Sequence, residues 1–349
     1  MDTHVSAAIG RPDLIDLGEG LICLRFETMK VVSALAAVRT LVEEGTVRPG
    51  DTLMDSSSGI YAYALALACH RYGLGCHIVG STTVDRTLQL QLEVLGASLD
   101  LMEPGEDLKL DQDRRVRRVH ELLEAEPRYH WMRQYHDPVH YEGYREIADL
   151  VHRSVGECPL TVVGGVGSGS STGALATYLR RERPDTRLVG VQPFGSLTFG
   201  SEEVSDPDII IAGIGSAIPL ANVDHSLYDT VHWTGFGAAL SGSVDVLRRH
   251  ALFAGLSTGA AYLAARWERE VEPRGTVLFV APDTGHRYTE SVFARHGEAR
   301  PLSEMKPVQV NGPEELALPW SRMEWDRAGA PPRTHAGVGR GHGAGGEDG

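Results

Sequence analysis

Apolar residues along this chain switch repeatedly between strand-like runs and helical spacing. Residues 13–26 (DLIDLGEGLICLRF) carry two short apolar runs about a Gly-Glu-Gly turn and predict two strands. After Lys30, residues 31–45 (VVSALAAVRTLVEEG) place apolar side chains at helical spacing and close on a glycine, the mark of a capped helix. Residues 52–59 (TLMDSSSG) predict a strand entering a small-residue loop, and 61–73 a buried helix ending at Gly73. A strand at GCHIVGS, a helix closed by Gly96 and a strand at 97–102 follow. Residues 103–118 are charged and read as surface; one helix is expected over 115–125 and another after Tyr141.

The second half repeats the alternation. Residues 160–165 (LTVVGG) are nearly all apolar, as in a strand buried on both faces. The GALATYLRRER helix, the strand at 187–193 and the helices SVDVLRRHALFA and AAYLAARWERE follow, the last two flanking residues 255–259. Residues 276–283 predict the last core strand. Strands and helices that alternate with short connections imply parallel β-α-β units, hence an α/β fold. We expect two three-layer α/β/α domains with mostly parallel sheets: a larger one from residues 1–30 and 151–315, a smaller one from 31–150. Residues 326–349 are rich in Gly and Pro and predict a disordered tail.

Charge narrows the partners. The net charge of −14 argues against non-specific nucleic-acid binding, which needs a cationic surface. No apolar run approaches the roughly 20 residues that span a bilayer, and the N-terminus does not read as a signal peptide. The four cysteines form no C-x-x-C pair, and the 15 histidines are scattered. We therefore expect reduced thiols, no metal and a cytoplasmic protein. Of the 33 basic residues only Lys30, Lys109 and Lys306 are lysines, so a lysine inside an ordered apolar segment needs a specific reason.

Three small-residue loops stand where strands hand over to helices: Ser56–Gly59, Gly165–Ser171 and Gly255–Gly259. The middle loop can bind an anion through exposed N–H groups at a helix start, aided by serine hydroxyls; the plain alternative is a tight turn. Its G-x-G-x-G pattern, followed by a strand ending in Gln192, does not match a dinucleotide site. Gly255–Gly259 spells G-x-S-x-G with Asp283 and His286 downstream, which raises a serine-hydrolase reading, but a helix end precedes it where an elbow needs a strand. Lys30 follows a strand and opens an apolar helix. Either its amine is desolvated and available for a Schiff base, or it extends to solvent.

Taken in order, these motifs resemble the cysteine synthase / cystathionine β-synthase family of pyridoxal-phosphate enzymes, with the tryptophan-synthase-β-like (type II) fold. The resemblance covers about residues 9–290. Lys30 with its fifteen-residue helix and RPGDT resembles the Schiff-base lysine segment, and DSSSG the substrate-carboxylate loop. GVGSGSS resembles the phosphate loop, AGIGSAIP the glycine turn near the active site, GLSTGAA the segment meeting the pyridine nitrogen, and APDTGHRY the closing P-D-x-G-x-R-Y motif.

The resemblance implies the cofactor pyridoxal 5'-phosphate, held by Lys30, Gly167, Ser168, Gly169, Ser170, Ser171 and Ser257. Lys30 is then also the catalytic base. Ser57, Ser58, Gly59, Tyr61 and Gly213 would bind an amino-acid substrate, and a homodimer is implied. The expected reaction is β-replacement on a serine- or cysteine-derived amino acid. Three departures from the family pattern point away from ordinary cysteine synthesis and towards a specialised biosynthetic pathway. The N-P-x-G-S run before the lysine is absent, and the family's S-G-N-T is Ser58-Gly59-Ile60-Tyr61, which removes an Asn that bonds the ring oxygen. Glu142-Gly143-Tyr144-Arg145-Glu146 replaces a T-G-P-E stretch. A β-eliminating lyase or dehydratase, or a degenerate non-catalytic relative, are the alternatives.

Overall fold

In the computed structural model, which describes residues 1–81, 84–103, 108–209 and 213–331, the strand–helix alternation is realised throughout. The first half comprises α1 (Val5–Ile9), β1 (Asp13–Asp16), β2 (Leu21–Arg25), α2 (Lys30–Glu43), β3 (Thr52–Ser56), α3 (Ile60–Tyr72), β4 (Gly75–Ser81), α4 (Arg86–Val94), β5 (Ser98–Met102), α5 (Leu108–Ala125) and β6 (Tyr129–Trp131). The second half comprises α6 (Arg145–Ser154), β7 (Leu160–Gly165), α7 (Ser170–Glu182), β8 (Arg187–Pro193), β9 (Thr230–Thr234), α8 (Phe236–His250), α9 (Leu256–Val271), β10 (Thr276–Ala281), β11 (Val308–Gln309) and β12 (Trp320–Glu324).

These strands form an eight-stranded sheet of order β1-β2-β10-β7-β8-β9-β12-β11 and a four-stranded sheet of order β5-β4-β3-β6. All pairings are parallel except β1 with β2 and β12 with β9. The large sheet is buried on both faces. Residues of α6 and α7 pack on one side, those of α8 and α9 on the other. Residues of α2, α3 and α4 cover one face of the small sheet, and α5 seats Val119 against Met54 and Val79 on the other.

Local chemistry sets the element ends. Gly73 closes α3 at φ +66°, and the Asp85 carboxylate caps α4 by accepting from Leu88 N at 2.9 Å. Three expectations are corrected. Helix α5 starts at Leu108, not near 115, because one stripe containing Val119 is enough to dock an otherwise charged helix. Helix α8 starts at Phe236 and stops at His250, where Ala251 turns left-handed (φ +55°), so 252–254 are not helical. The large sheet also continues past residue 315 into β12.

Strands β6, β9, β11 and β12 were not anticipated. β9 reads as polar (TVHWT), yet every residue in it is buried. Its His232 meets Glu268 through Nε2 at 3.0 Å, and Trp320 Nε1 donates to His232 Nδ1 at 3.0 Å. The first residues of the expected tail are held: Arg327 Nε donates to Asp229 Oδ1 at 2.9 Å, and its backbone N to Tyr228 O at 2.8 Å. Residues 332–349 of that tail lie outside the described residues. Among the described residues, no helix is long and apolar enough to cross a membrane, and the four cysteines are free thiols.

Candidate active site

The site gathers at the carboxyl ends of the parallel strands, where α/β sheets place their ligands. Strand β2 lies parallel to β10, and the chain leaves it by a very short connection. Phe26 N donates to Ala281 O at 2.9 Å and Met29 N to Pro282 O at 2.8 Å, and Thr28 bridges Asp283. The missing N-P-x-G-S loop is thus replaced by main chain drawn across the end of β10. This fixes Lys30 as the first residue of α2.

Lys30 Nζ donates to Ser168 Oγ at 3.2 Å, and Ser168 Oγ donates to Ser170 Oγ at 3.2 Å. Two segments 138 residues apart in sequence therefore meet. Burial pushes the Lys30 amine down to about 8, with the Asp55 carboxylate opposing the shift. The extended alternative for Lys30 is not what the fold shows.

The loop after β7 is a cradle. Gly169 stands at φ +82° as the N-terminal cap of α7, and a Cβ there would strike the Asn222 carbonyl. A Cβ on Gly167 would strike the carbonyl of Gly213, which places that residue of the glycine turn against the loop after β7. The first intrahelical bond of α7 runs from Gly173 N to Gly169 O at 2.8 Å, so the N–H groups of Ser170, Ser171 and Thr172 precede the helical ladder.

Ser257 lies in the first turn of α9, buried, and its hydroxyl has no partner among the described residues. It lines a cavity of about 20 Å³, room for about one water, with Leu256, Phe236 and Thr234. The hydrolase reading fails here. Ser257 sits inside a helix that no core strand precedes, Asp283 accepts from the Tyr288 hydroxyl at 3.1 Å, and His286 bonds Thr284. Gln192, at the place of a ribose-binding acid, is buried and donates to Val166 O at 2.5 Å. Among the described residues no His, Cys, Asp and Glu cluster could hold a metal.

In the loop after β3, Ser57 Oγ accepts from Gly59 N at 3.3 Å and Ser58 Oγ from Ser81 N at 2.8 Å. Tyr61 departs from the expected role. Its hydroxyl meets His140 Nε2 at 2.7 Å, in the buried layer between α3 and residues 138–144. His140 Nδ1 faces the Asp137 carbonyl at 3.1 Å and must donate to it, so Nε2 accepts the Tyr61 proton. Burial holds this imidazole neutral, at about 4. Tyr61→Phe would leave a buried acceptor unmatched. It is expected to cost about 1–3 kcal/mol in urea unfolding with an unchanged denaturant slope.

Four residues were missed in the sequence. Asp55 is buried and accepts from Ser56 N (2.7 Å), Trp131 Nε1 (3.0 Å) and Gln134 N (3.0 Å). Gln134 Nε2 also donates to Ser56 O at 3.3 Å, and Arg115 Nη1 reaches Ser58 Oγ at 3.4 Å. Asn222 joins two of these segments. Only Asp55 carried a signal, as the acid that opens DSSSG; the others sit in stretches without a motif.

A family model described as pyridoxal-phosphate dependent enzyme matches residues 23–283. The chain belongs to that family. It is 30% identical over 257 residues to an N-(2-amino-2-carboxyethyl)-L-glutamate synthase of Ralstonia nicotianae, covering 72% of this chain and 74% of the relative. A cysteine synthase of Staphylococcus aureus is 26% identical over 258 residues, covering 73% and 81%. The crystal structure of an O-acetylserine dependent cystathionine beta-synthase from Helicobacter pylori superposes with a TM-score of 0.73 at 23% identity, over 82% of this chain and 97% of that one; it attests the fold.

The residues present fit the family's cofactor, pyridoxal 5'-phosphate. The glycine cradle and the free N–H groups of α7 suit its phosphate, and the unpartnered Ser257 hydroxyl suits a ring nitrogen. At the place of the family Asn, half-buried Ile60 offers no donor.

Proposed function

We propose that this pyridoxal-phosphate dependent enzyme performs β-replacement on a serine- or cysteine-derived amino acid, with an amine or thiol as the incoming nucleophile. The observation that carries the reading is the Lys30 amine set on Ser168 of the phosphate loop. Support comes from the relatives, whose names are those of synthases for cysteine and for an N-substituted glutamate.

When bound, the cofactor supplies an electron sink that acidifies the α-proton of an amino acid. The chain supplies the rest. Lys30, with its amine pushed down to about 8, is neutral often enough near physiological pH to bond the cofactor carbonyl and later to carry the substrate α-proton. Ser168 orients that amine. The N-terminus of α3, with Ser57 and Ser58, receives the substrate carboxylate. Gly213, set against Gly167, closes the other side. Ser257 accepts or donates a hydrogen bond at the ring nitrogen, and being uncharged it favours elimination and replacement at the β-carbon.

Arg115, buried with one nitrogen on Ser58, adds positive charge beside the substrate loop. The reading includes a homodimer, a cytoplasmic setting in keeping with the free thiols, and a small domain that meets the larger one near residues 30 and 150.

Product analysis tests it. With O-phospho-L-serine or O-acetyl-L-serine and an added amine or thiol, a β-substituted amino acid should accumulate. Pyruvate and ammonia alone would instead identify an eliminating lyase.

A further inference from the structure

This inference rests on the reading above and concerns a residue outside every motif that led to it. Residues 213–223 run between the phosphate loop and the segment that follows β6. Within them, Asn222 is buried and makes hydrogen bonds on two sides. Its side-chain Nδ2 donates to Gln134 O and to Asp137 O, each at 3.1 Å, and its backbone N donates to Tyr135 O at 3.0 Å. On the opposite side, its carbonyl accepts from the Tyr141 hydroxyl at 2.7 Å and lies directly on Gly169 of the phosphate loop.

Gln134 carries the connection onward. Its backbone N holds Asp55 Oδ2 at 3.0 Å and its amide holds Ser56 O at 3.3 Å, one residue ahead of Ser57. A continuous set of hydrogen bonds thus runs from the substrate loop through Gln134 to Asn222, and by main-chain contact to Gly169. An amide nitrogen with two protons satisfies both carbonyls at once. A carboxylate would set oxygen against oxygen, and an apolar side chain would orphan both buried acceptors.

We infer that Asn222 is a positioning residue that fixes the substrate loop at working distance from the cofactor-phosphate loop. Its side chain, with its backbone N–H, governs the substrate side, whereas its main-chain carbonyl, which any substitution retains, governs the phosphate side. The two sides should therefore separate on mutation.

The test compares wild type with Asn222→Ala and the milder Asn222→Ser. In the cofactor-free proteins, amide hydrogen exchange over residues 133–141 should rise about tenfold in Asn222→Ala, less in Asn222→Ser, and not at all in β7 and β8. With cofactor added, its affinity should change little. Per bound cofactor, the KM for the amino acid should rise about tenfold and kcat should fall by a similar factor, as misplaced reacting groups require. Unchanged exchange over 133–141 overturns the inference. So does a lowered Tm with wild-type KM and kcat in the loaded fraction, which is what a purely structural role gives. Failure of wild type to take up cofactor would fault the proposed function instead, while the exchange comparison would still decide the role of Asn222.

Discussion

Lys30→Ala is expected to lower product formation by a factor on the order of 10³ or more, with the fold retained. The argument rests on position. Lys30 opens α2, is held by the strap of residues 26–29 across β10, and points its amine at Ser168 of the phosphate loop. Lys30→Arg should be equally inactive although it keeps the charge, because a guanidinium does not deprotonate to bond a carbonyl carbon. Circular dichroism and Tm on both variants separate this loss from unfolding. The pH dependence has a defined sign. Burial lowers the amine to about 8, and only the neutral amine attacks. Cofactor capture by the apo-protein should accelerate as pH rises through about 8 and level off above it. In Lys30→Ala that dependence should vanish.

The second large effect is structural. Glu268→Ala should destabilise the protein by about 3–5 kcal/mol in urea unfolding, since it strips the counter-charge from a buried cation. Arg322 Nε donates to Glu268 Oε1 at 2.6 Å, deep in the sheet, and its Nη2 also meets Glu324 Oε1 at 2.6 Å. Trp320 Nε1 can only donate, so His232 takes that proton on Nδ1 and gives its Nε2–H to Glu268. One carboxylate therefore ties α9 to β9 and β12. Burial opposes its ionisation, yet the bonds from His232 and Arg322 win and hold it at about 2, below the ordinary 4.5. A carboxylate with a depressed pKa contributes fully above its unfolded value. That contribution should drain away as pH falls from about 4.5 towards 2. Glu268→Gln, which has lost the charge, should show a shallower acid slope over that window.

Much of this arrangement is legible in the sequence because its determinants are local. The apolar runs of β7 and β10, the glycine after α3 and the small-residue loops announce themselves within a few positions. The rarity of lysine makes Lys30 conspicuous, and Gly167–Ser171 stands out as a run of small residues before a helix. What escaped is what only packing creates. β9 looked polar because His232 is paired from two other elements, and α5 looked like surface because so narrow an apolar stripe docks it. Tyr61 occupies a substrate-loop position, but its hydroxyl is committed to His140, 79 residues away. Asp55, Gln134 and Asn222 are ordinary polar residues until the fold brings 55–56, 134–137 and 222 together.

Borohydride reduction of the cofactor-loaded protein, followed by peptide mapping, tests the central claim most directly. The prediction is a single pyridoxyl adduct on the peptide that carries Lys30, formed from a yellow protein and absent from Lys30→Ala. A colourless protein that stays unlabelled after incubation with pyridoxal 5'-phosphate, or an adduct confined to Lys109 or Lys306, would contradict it.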